Sequence, residues 1–513
     1  MTVTRRSAAS ALSRSQTSST TTGSNPDLSP HFTVCVLIAP TKTTVIHGRS
    51  SRHGRTYGPR VCASAFWGAS LGDRRRAARL VQVGAAFAQG GGGQSGGTIS
   101  SVICDRHQAK AAYRLLDREQ VTHEAVLSGH CAEVLKATSL PGDYLLIEDT
   151  TAIAYPNLKQ TTGLGPIGED HTRGLWAHQT LVVKVDWQHN DAQLLGMLGQ
   201  RVWARPLDRP YKRSLGKEPE RARQSREDRE SQRWMAALEQ AEGAIDGTTW
   251  TYVADRESDI YELFQKAWVH GWSFVIRASH RRALAGHEVA QHVLTAAATA
   301  PVRGTTRAKI KGGEDEILLE VRSTTLTLRG PSRPGGRLED HTVNVVHARQ
   351  LDAPADQEPA CWILLTDLPV DTLAQSERVL SIYRHRWLVE ELHKALKTGL
   401  KIEASQLSDA RRLGALIGIL SVVAVFLLQH KLAARSNPQA PLNEDETDQS
   451  ILAVLRKTDP PRGRATRRWY WIAIAKLGGY HDRKTTQPGW LTLWRGWQTL
   501  MMLVRGYELA RGP

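Results

Sequence analysis

The sequence predicts an α/β fold in which helical regions precede and follow a mixed β-sheet. Short β-branched runs, such as residues 143–149 and 248–255, alternate with helical patterns across the middle of the chain. This order is typical of a sheet that contains both parallel and antiparallel strand pairs. The segments on either side show helical periodicity instead. We therefore expect a sheet-based core over residues 136–435, a helical module over residues 63–135 and a C-terminal helical region over residues 436–513.

Composition narrows the class of protein. The chain has 513 residues, and 67 Lys and Arg stand against 51 Asp and Glu, a net charge of +16. Such an excess indicates a polyanionic partner, most often nucleic acid. The five cysteines include no C-x-x-C pair, which argues against a disulfide framework or a structural zinc site and fits a reducing cytoplasm. The apolar run at residues 413–428 is shorter than the ~20 residues that span a bilayer, so we expect a buried core helix and no membrane.

Residues 1–62 differ from the rest of the chain. Fourteen of the first 30 residues are Ser or Thr, and the only acid in the segment is Asp27. Such a segment buries little apolar area and is predicted to be a disordered extension. A targeting peptide, or a start codon assigned too far upstream, would give the same composition, and we favour the upstream start.

Periodicity and glycine or proline breaks place the individual elements. In the N-terminal module, one helical pattern opens at residues 71–80 and ends at the glycine run 89–97, and a second covers residues 108–116. Residues 283–368 contain Gly/Pro turns between short β-branched runs, which predicts an inserted β subdomain. The core elements are predicted as strands at 143–149, 179–187, 194–203, 248–255 and 272–277, with a helix at 259–270.

The most informative stretch is residues 383–397, which is predicted to be one helix. At about 100° per residue, five polar side chains fall within an arc of about 80°: Tyr383, Arg386, Glu390, Lys394 and Lys397. One carboxylate thus stands among four donors or cations, an arrangement that suits a metal-binding acid whose neighbours grip phosphates. An amphipathic helix with a basic stripe is the alternative.

Three carboxylates stand out by their positions. Asp149 and Asp255 end two predicted strands, and Glu390 lies on the predicted helix. Ligands of open α/β sheets gather at strand ends, so the three would form an oxygen-rich site for Mg²⁺ or Mn²⁺. Two such ions can serve an in-line phosphodiester displacement. Spacing alone does not single these three out from the 51 acidic residues.

Three neighbouring acids are left out of this site. Glu148 should face away from Asp149 because side chains alternate along a strand. Glu391 lies about 100° round the helix from Glu390. Asp259 falls inside the helix predicted after Asp255.

The blocks that hold the three carboxylates resemble those of a known family. The segments Ile-Glu-Asp-Thr-Thr at 147–151 and Val-Ala-Asp-Arg-Glu-Ser-Asp-Ile at 253–260 are similar to its D blocks. The pattern Y-x-x-R-x-x-x-E-x-x-x-x-x-x-K at 383–397 is similar to its E block. The family comprises the DDE transposases of bacterial insertion sequences, insertion-sequence-4 family, most closely the transposon-five type. The resemblance runs from about Phe66 to the tryptophan-rich tail, and implies a ribonuclease-H-like catalytic core.

The resemblance also implies a role for each matching residue. Asp149, Asp255 and Glu390 would be the catalytic acids and would bind two Mg²⁺ ions, or Mn²⁺ in their place. Other matches would contact DNA: Tyr383, Arg386, Lys394, Lys397 and Arg277 at phosphates, and Trp362 beneath a flipped base. Core packing for Trp362 and a structural ion pair for Arg277 are the alternatives. The basic helices of the N-terminal module would supply end recognition, through Arg75, Arg76, Arg79 and Arg114.

The implied activity is cut-and-paste DNA transposition in the bacterial cytoplasm, in association with the nucleoid. A homodimer would bind the terminal repeats, nick the DNA, form and reopen a hairpin intermediate, and transfer the 3′-OH ends into target DNA. The tryptophans 490, 494 and 497 share one helical face, which suits core packing or a dimer contact equally. Two other functions stay open: a catalytically silent DNA-binding inhibitor or decayed transposase, and a host nuclease with the same core.

Overall fold

The structure is a computed structural model, and the predicted extension at residues 1–62 lies outside the residues that it describes. Several helices of the described chain begin where a side chain caps the helix. The first begins at Arg74 because Asp73 accepts a hydrogen bond from the backbone N–H of Arg75 at 2.8 Å. Asp105 and Thr122 cap two later helices in the same way.

The described residues are 66, 68–90, 97–168, 172–189, 191–206, 234, 247–286, 291–309, 316–333, 335–435, 438–444, 447–482 and 487–511.

The α-helices described before the sheet are α1 Arg74–Ala88, α2 Ile99–Val102, α3 Arg106–Leu116 and α4 His123–Ala137. They bury apolar side chains in the same cluster as one face of the sheet. The helical character predicted for this part of the chain agrees with the structure, and the first helix begins three residues later than the pattern at 71–80.

Five strands form the part of the sheet that positions the site. Strand β1 (Gly142–Ala154) pairs antiparallel with β3 (Arg173–Asp186), which pairs antiparallel with β4 (Asp191–Trp203). On its other side β1 pairs parallel with β5 (Thr248–Ala254), and β5 pairs parallel with β6 (Ser273–Arg277). The spatial order is therefore β4-β3-β1-β5-β6. This mixed sheet confirms the predicted α/β class and fits a ribonuclease-H-like core.

The β-rich segment at residues 283–368 extends the same sheet. Strand β12 (Cys361–Thr366) pairs antiparallel with β6, and β11, β8 and β7 follow outward from it. The segment is β-rich, as predicted, and its long strands continue the core sheet by hydrogen bonding. The remaining strands are β2 Gly165–Pro166, β7 Val302–Lys309, β8 Glu316–Leu328, β9 Ser332–Arg333, β10 Gly336–Arg337 and β11 His341–Gln350.

Helix α9 (Ala410–Arg435) is the core helix expected from the apolar run. By length and composition it could cross a membrane, yet most of its apolar stretch is buried inside the protein. It packs in one cluster with the N-terminal helices, one face of the sheet and the C-terminal helices. The prediction of a buried core helix is confirmed. The other helices are α5 Tyr261–Val269, α6 Val293–Ala298, α7 Leu373–Arg384, α8 Trp387–Lys394, α10 Gln449–Thr458, α11 Arg467–Leu477 and α12 Trp490–Arg511.

The tryptophan face of α12 packs inside the chain. Trp490, Trp494 and Trp497 are each only 5–6% exposed. The indole N–H of Trp497 donates a hydrogen bond to the carbonyl oxygen of Ala88 at 2.7 Å. Core packing therefore accounts for this spacing, and dimerisation through residues 436–513 stays a prediction that concerns other surfaces.

Candidate active site

Parallel pairing of β1 and β5 brings Asp149 and Asp255 side by side. The register couples Ile147 with Val253, and two further residues on each strand lead to the two aspartates. Asp255 follows the end of β5, as predicted. Asp149 lies inside β1, since that strand continues alongside β3 to Ala154. It nevertheless stands just beyond the last residue of β1 that pairs with β5, so both carboxylates reach one edge of the parallel ladder.

Glu390 reaches this edge from a broken helix, whereas the sequence predicted a single one. Helix α7 ends at Arg384 and α8 begins at Trp387. Between them the N–H of Arg386 bonds to the carbonyl three residues earlier, which tightens the turn. After α8 the chain widens into a π-helical turn, Ala395–Gly399, a geometry often found at functional sites. The uniform 100° spacing is thus interrupted on both sides of Glu390.

Arg386 joins two of the three acids. Its Nη1 lies 3.1 Å from Oδ2 of Asp149, and its Nη2 is paired with Oε1 of Glu390. The centre of its guanidinium lies 5.8 Å from the centre of the Tyr383 ring. The structure therefore brings together Tyr383, Arg386, Glu390 and Asp149. The sequence predicted a phosphate contact for Arg386 but gave no sign of the bridge between two carboxylates.

The electrostatics of Asp149 place all three acids within reach of one another. Burial, and then the negative charges of Asp255 and Glu390, raise the pKa of Asp149 to about 6 against the opposing effect of Arg386. The Asp149 side chain is 14% exposed. The three carboxylates are thus close enough to repel, and a cation placed among them would relieve that repulsion.

The donor set fits a hard divalent cation. Carboxylate oxygens are the ligands that Mg²⁺ and Mn²⁺ prefer. In this structure the positive charge between Asp149 and Glu390 is the guanidinium of Arg386. No three His, Cys, Asp or Glu side chains in the described part of the chain are already arranged to hold an ion. A metal ion would therefore compete with Arg386 for these oxygens.

Glu148 faces away from the site, as predicted. Its side chain is fully buried. It accepts hydrogen bonds from the hydroxyls of Thr180 and Tyr252, both at 2.7 Å. Because every neighbour along β1 alternates in direction, these contacts lie on the face of the sheet opposite Asp149.

Glu391 and Asp259 also make other contacts. Glu391 pairs with Lys431 of α9. Asp259 pairs with Arg282 and accepts the backbone N–H of Ser279 at 2.7 Å. Asp259 lies just before α5 and not inside a helix, which corrects that detail of the prediction, but its buried ion pair still excludes it from the site.

The other predicted DNA contacts surround the acids unevenly. Lys394 is exposed, whereas Lys397 is half-buried and burial lowers its pKa. Arg277, at the end of β6, donates a hydrogen bond to the carbonyl oxygen of Cys361 at 2.8 Å. Burial raises the pKa of Tyr383, and the positive charge of Arg277 partly offsets that rise. Trp362, next in the chain to that carbonyl, is half-buried and packs partly against the core.

The four arginines of the N-terminal module that are predicted to contact DNA divide into two pairs. Arg75 and Arg114 are exposed. Arg76 donates a hydrogen bond to the carbonyl oxygen of Leu71 at 2.9 Å, and Arg79 bonds the side chain of Gln108. The second pair therefore already has contacts within the module.

A polar contact behind Glu390, between half-buried His393 and buried Gln179, escaped the sequence analysis. His393, one turn along α8, has its Nε2 2.8 Å from the side-chain amide of Gln179 on β3. Burial lowers the pKa of His393 to about 3, so the ring is neutral near pH 7. The signal that was available is a glutamine within an apolar strand, since a polar side chain there needs a partner.

Two protein-family models match the chain. Residues 61–121 match the transposase DNA-binding model, and residues 230–426 match the transposase DDE domain model. The first match includes the four arginines of the N-terminal module that are predicted to contact DNA. The second includes Asp255 and Glu390, whereas Asp149 lies before it and joins them through the pairing of β1 with β5.

Proposed function

We propose that this chain, whose two family matches support a DNA transposase of the DDE type, moves its own insertion sequence by a cut-and-paste reaction. We assign the element to the insertion-sequence-4 family and the transposon-five type, on the Tyr383, Arg386, Glu390 and Lys397 pattern. The observation that carries the proposal is the pairing of Arg386 with both Asp149 and Glu390, while Asp255 stands beside Asp149 at the same edge of the parallel ladder.

The three acids would form the metal site of the enzyme. Asp149, Asp255 and Glu390 would hold two Mg²⁺ ions, or Mn²⁺ in their place, which would activate the attacking oxygen and stabilise the leaving oxygen. Arg386 would then be displaced from its carboxylates and could bind a DNA phosphate. The half-buried position of the acids keeps their charges unscreened, which strengthens their attraction for a cation.

The surrounding side chains would hold the DNA. Tyr383, Lys394 and Lys397 would contact phosphates near the transposon end, and Arg277 another phosphate. Trp362 would stack on an extruded base, which would allow the strand to bend back into a hairpin. Water would first hydrolyse one strand at the transposon end and expose a 3′-OH. That hydroxyl would attack a phosphodiester of the opposite strand, which forms the hairpin and releases the flanking DNA. Water reopens the hairpin, and the 3′-OH then attacks target DNA.

End recognition and assembly complete the proposal. The arginines at 75, 76, 79 and 114 would contact the terminal repeats, with Arg75 and Arg114 the more exposed of the four. The net charge of +16 favours binding to DNA phosphates in the cytoplasm and the nucleoid. Two copies of the chain would hold two ends in a synaptic homodimer.

A cleavage assay tests the role of Glu390. The substrate is a DNA fragment that carries the element's own terminal repeats, incubated with Mg²⁺. We expect hairpin-ended fragments from the wild type and a loss of at least about 10³-fold for Glu390→Gln, because one ligand of the metal site is gone. The matched control is Glu444→Gln, which also removes a carboxylate that is paired with an arginine, Arg456, but lies away from the site.

The outcomes separate the proposal from its alternatives. Binding of the ends without cleavage by the wild type would point to an inhibitor or a decayed transposase. Cuts at random positions without joined products would point to a host nuclease. Equal activity of Glu390→Gln and the wild type would remove Glu390 from the site.

A further inference from the structure

A largely buried chain of polar side chains lies behind the three acids. It begins at His393 on α8, passes through Gln179 on β3 and continues to Gln200 on β4. Gln200 then bonds Ser421 on α9 at 2.9 Å and His123 on α4 at 3.0 Å. Gln179, Ser421 and His123 are 0%, 0% and 6% exposed, so these contacts exchange little with water.

The orientation of the Gln179 amide follows from its surroundings. With the nitrogen directed to His393, it donates to Nε2 of that ring at 2.8 Å and to the backbone carbonyl oxygen of Asp149 at 3.2 Å. The side-chain oxygen then accepts from Nε2 of Gln200 at 3.1 Å. A neutral imidazole has one ring nitrogen that can accept, which is what this arrangement requires.

Gln179 therefore touches both elements that carry the acids. Through the carbonyl oxygen of Asp149 it contacts β1 at the position of the first acid. Through His393 it contacts α8, one turn beyond Glu390 on the same side of the helix. The Cα of Gln179 also pairs with that of Asp149 across the antiparallel ladder. The contacts with Asp149 and His393 are therefore enough for Gln179 to link β1 to α8.

We propose that Gln179 is a positioning residue that fixes the helix bearing Glu390 against the strand bearing Asp149. It touches neither DNA nor metal in this assignment. A partner behind a metal-binding carboxylate commonly orients it, and its loss costs 10- to 100-fold in activity or metal affinity. The effect on cleavage rests on the proposed function, whereas the effect on α8 does not.

The test replaces Gln179 by methionine, which has a similar length and cannot form these hydrogen bonds. The matched control is Gln429→Met, because Gln429 of α9 also crosses between elements, donating to the carbonyl oxygens of Leu194 and Leu195 at 3.2 and 2.8 Å. Both variants remove a partly or fully buried glutamine. Only the first lies behind the acids.

Four measurements are made on each full-length protein. These are the melting temperature, the dissociation constant for an end fragment, the single-turnover cleavage rate with its half-saturating Mg²⁺ concentration, and hydrogen exchange of residues 387–394. We expect Gln179→Met to lower the cleavage rate by about 10- to 100-fold and raise the Mg²⁺ requirement several-fold. End binding should change less than about threefold, since the DNA-contacting residues are untouched. Exchange in α8 should be faster in Gln179→Met alone.

Each result decides the proposal. Equal loss of cleavage in the two glutamine variants, or unchanged exchange in α8, overturns it, because a general loss of stability would then explain the data. A change in end affinity alone also overturns it. If the wild type fails to cleave while Gln179→Met alone speeds exchange in α8, the positioning role stands and the proposed transposase activity fails.

Discussion

Arg386 is a counter-ion for two carboxylates in the metal-free protein. It pairs with Asp149 and Glu390, while Asp255 contributes a third negative charge nearby. One guanidinium cannot neutralise three carboxylates, so part of their repulsion remains in the folded state. A metal ion would remove that repulsion and release Arg386. The same residue could therefore pair with the carboxylates when no metal ion is bound and contact a DNA phosphate when one is bound.

Burial, and then repulsion from the neighbouring acids, makes ionised Asp149 a source of instability when no metal ion is bound. Its pKa of about 6 lies above the ordinary value near 3.9, so the ionised form costs up to about 3 kcal/mol of folding free energy at pH 7. We expect Asp149→Asn to be more stable than the wild type by about 1–3 kcal/mol at pH 7.5 in EDTA. The measurement is urea unfolding at pH 7.5, 5.5 and 4.5.

The stability gain expected for Asp149→Asn depends on pH. As pH falls through 6, the carboxyl of the folded state takes up a proton first, so the advantage of Asp149→Asn should shrink toward pH 4. Asp459→Asn is the control. Asp459 lies away from the site and pairs with Lys476, with 2.9 Å between the two charged groups, so its replacement should give no gain in stability. A wild type that is more stable than Asp149→Asn at pH 7.5 would show that Arg386 outweighs the repulsion.

At the scale of elements, helix α8 is fixed on two sides. His393 bonds Gln179 on the side of the sheet, and Glu391 pairs with Lys431 on the side of α9. Lys431 is 3% exposed and Glu391 15% exposed, so the pair is mostly out of water. The acid that completes the site lies between these two anchors, which limits its motion relative to β1.

The Glu391–Lys431 pair should be costly to break from one side. Glu391→Gln and Lys431→Met should each lower the free energy of unfolding by about 3 kcal/mol, because each leaves a buried charge without the opposite charge. The double variant should recover most of this loss, since both charges are then absent. Urea unfolding of the four proteins in the cycle measures the coupling, and additive losses would contradict it.

Elements that depend on local pattern could be predicted, and elements that depend on distant partners could not. The strands β1, β3, β4, β5 and β6 were each expected from alternating or β-branched runs, and all five were found. Whether β11 and β12 join the core sheet depends on pairing across the chain, which no local pattern encodes. The helix predicted at 383–397 is interrupted between Arg384 and Trp387, next to the point where Arg386 pairs with Asp149, a residue 237 positions away that local periodicity does not reveal.

At the scale of the whole chain, regions that were predicted as separate domains share one apolar core. The same cluster contains Leu80 of α1, Leu181 of β3, Leu420 of α9 and Trp497 of α12. The C-terminal helices therefore support both the N-terminal module and the core. The shared core could not be predicted from the charge pattern of the sequence, because it forms by packing between apolar faces that are far apart in the chain.

Buried histidines should make this shared core sensitive to acid. Burial lowers the pKa of His130 and of His430 to about 4, and that of His393 to about 3. In the unfolded chain these rings take up protons near pH 6.5, whereas in the folded protein they stay neutral to about pH 4. The free energy of unfolding is therefore undiminished above pH 6.5 and falls as pH drops toward 4. Each ring should contribute up to about 1.4 kcal/mol per pH unit across this window.

His130 offers the clearest test. It is 6% exposed, and its Nε2 accepts the backbone N–H of Met197 at 3.0 Å, a contact that protonation would destroy. We expect His130→Gln to flatten the fall in unfolding free energy between pH 6.5 and 4.5 by about 1 kcal/mol per pH unit. The matched control is His107→Gln, at an exposed position of α3. Urea unfolding at four pH values compares the slopes, and equal slopes for the wild type and His130→Gln would show that this ring is already protonated or that its site opens before the core unfolds.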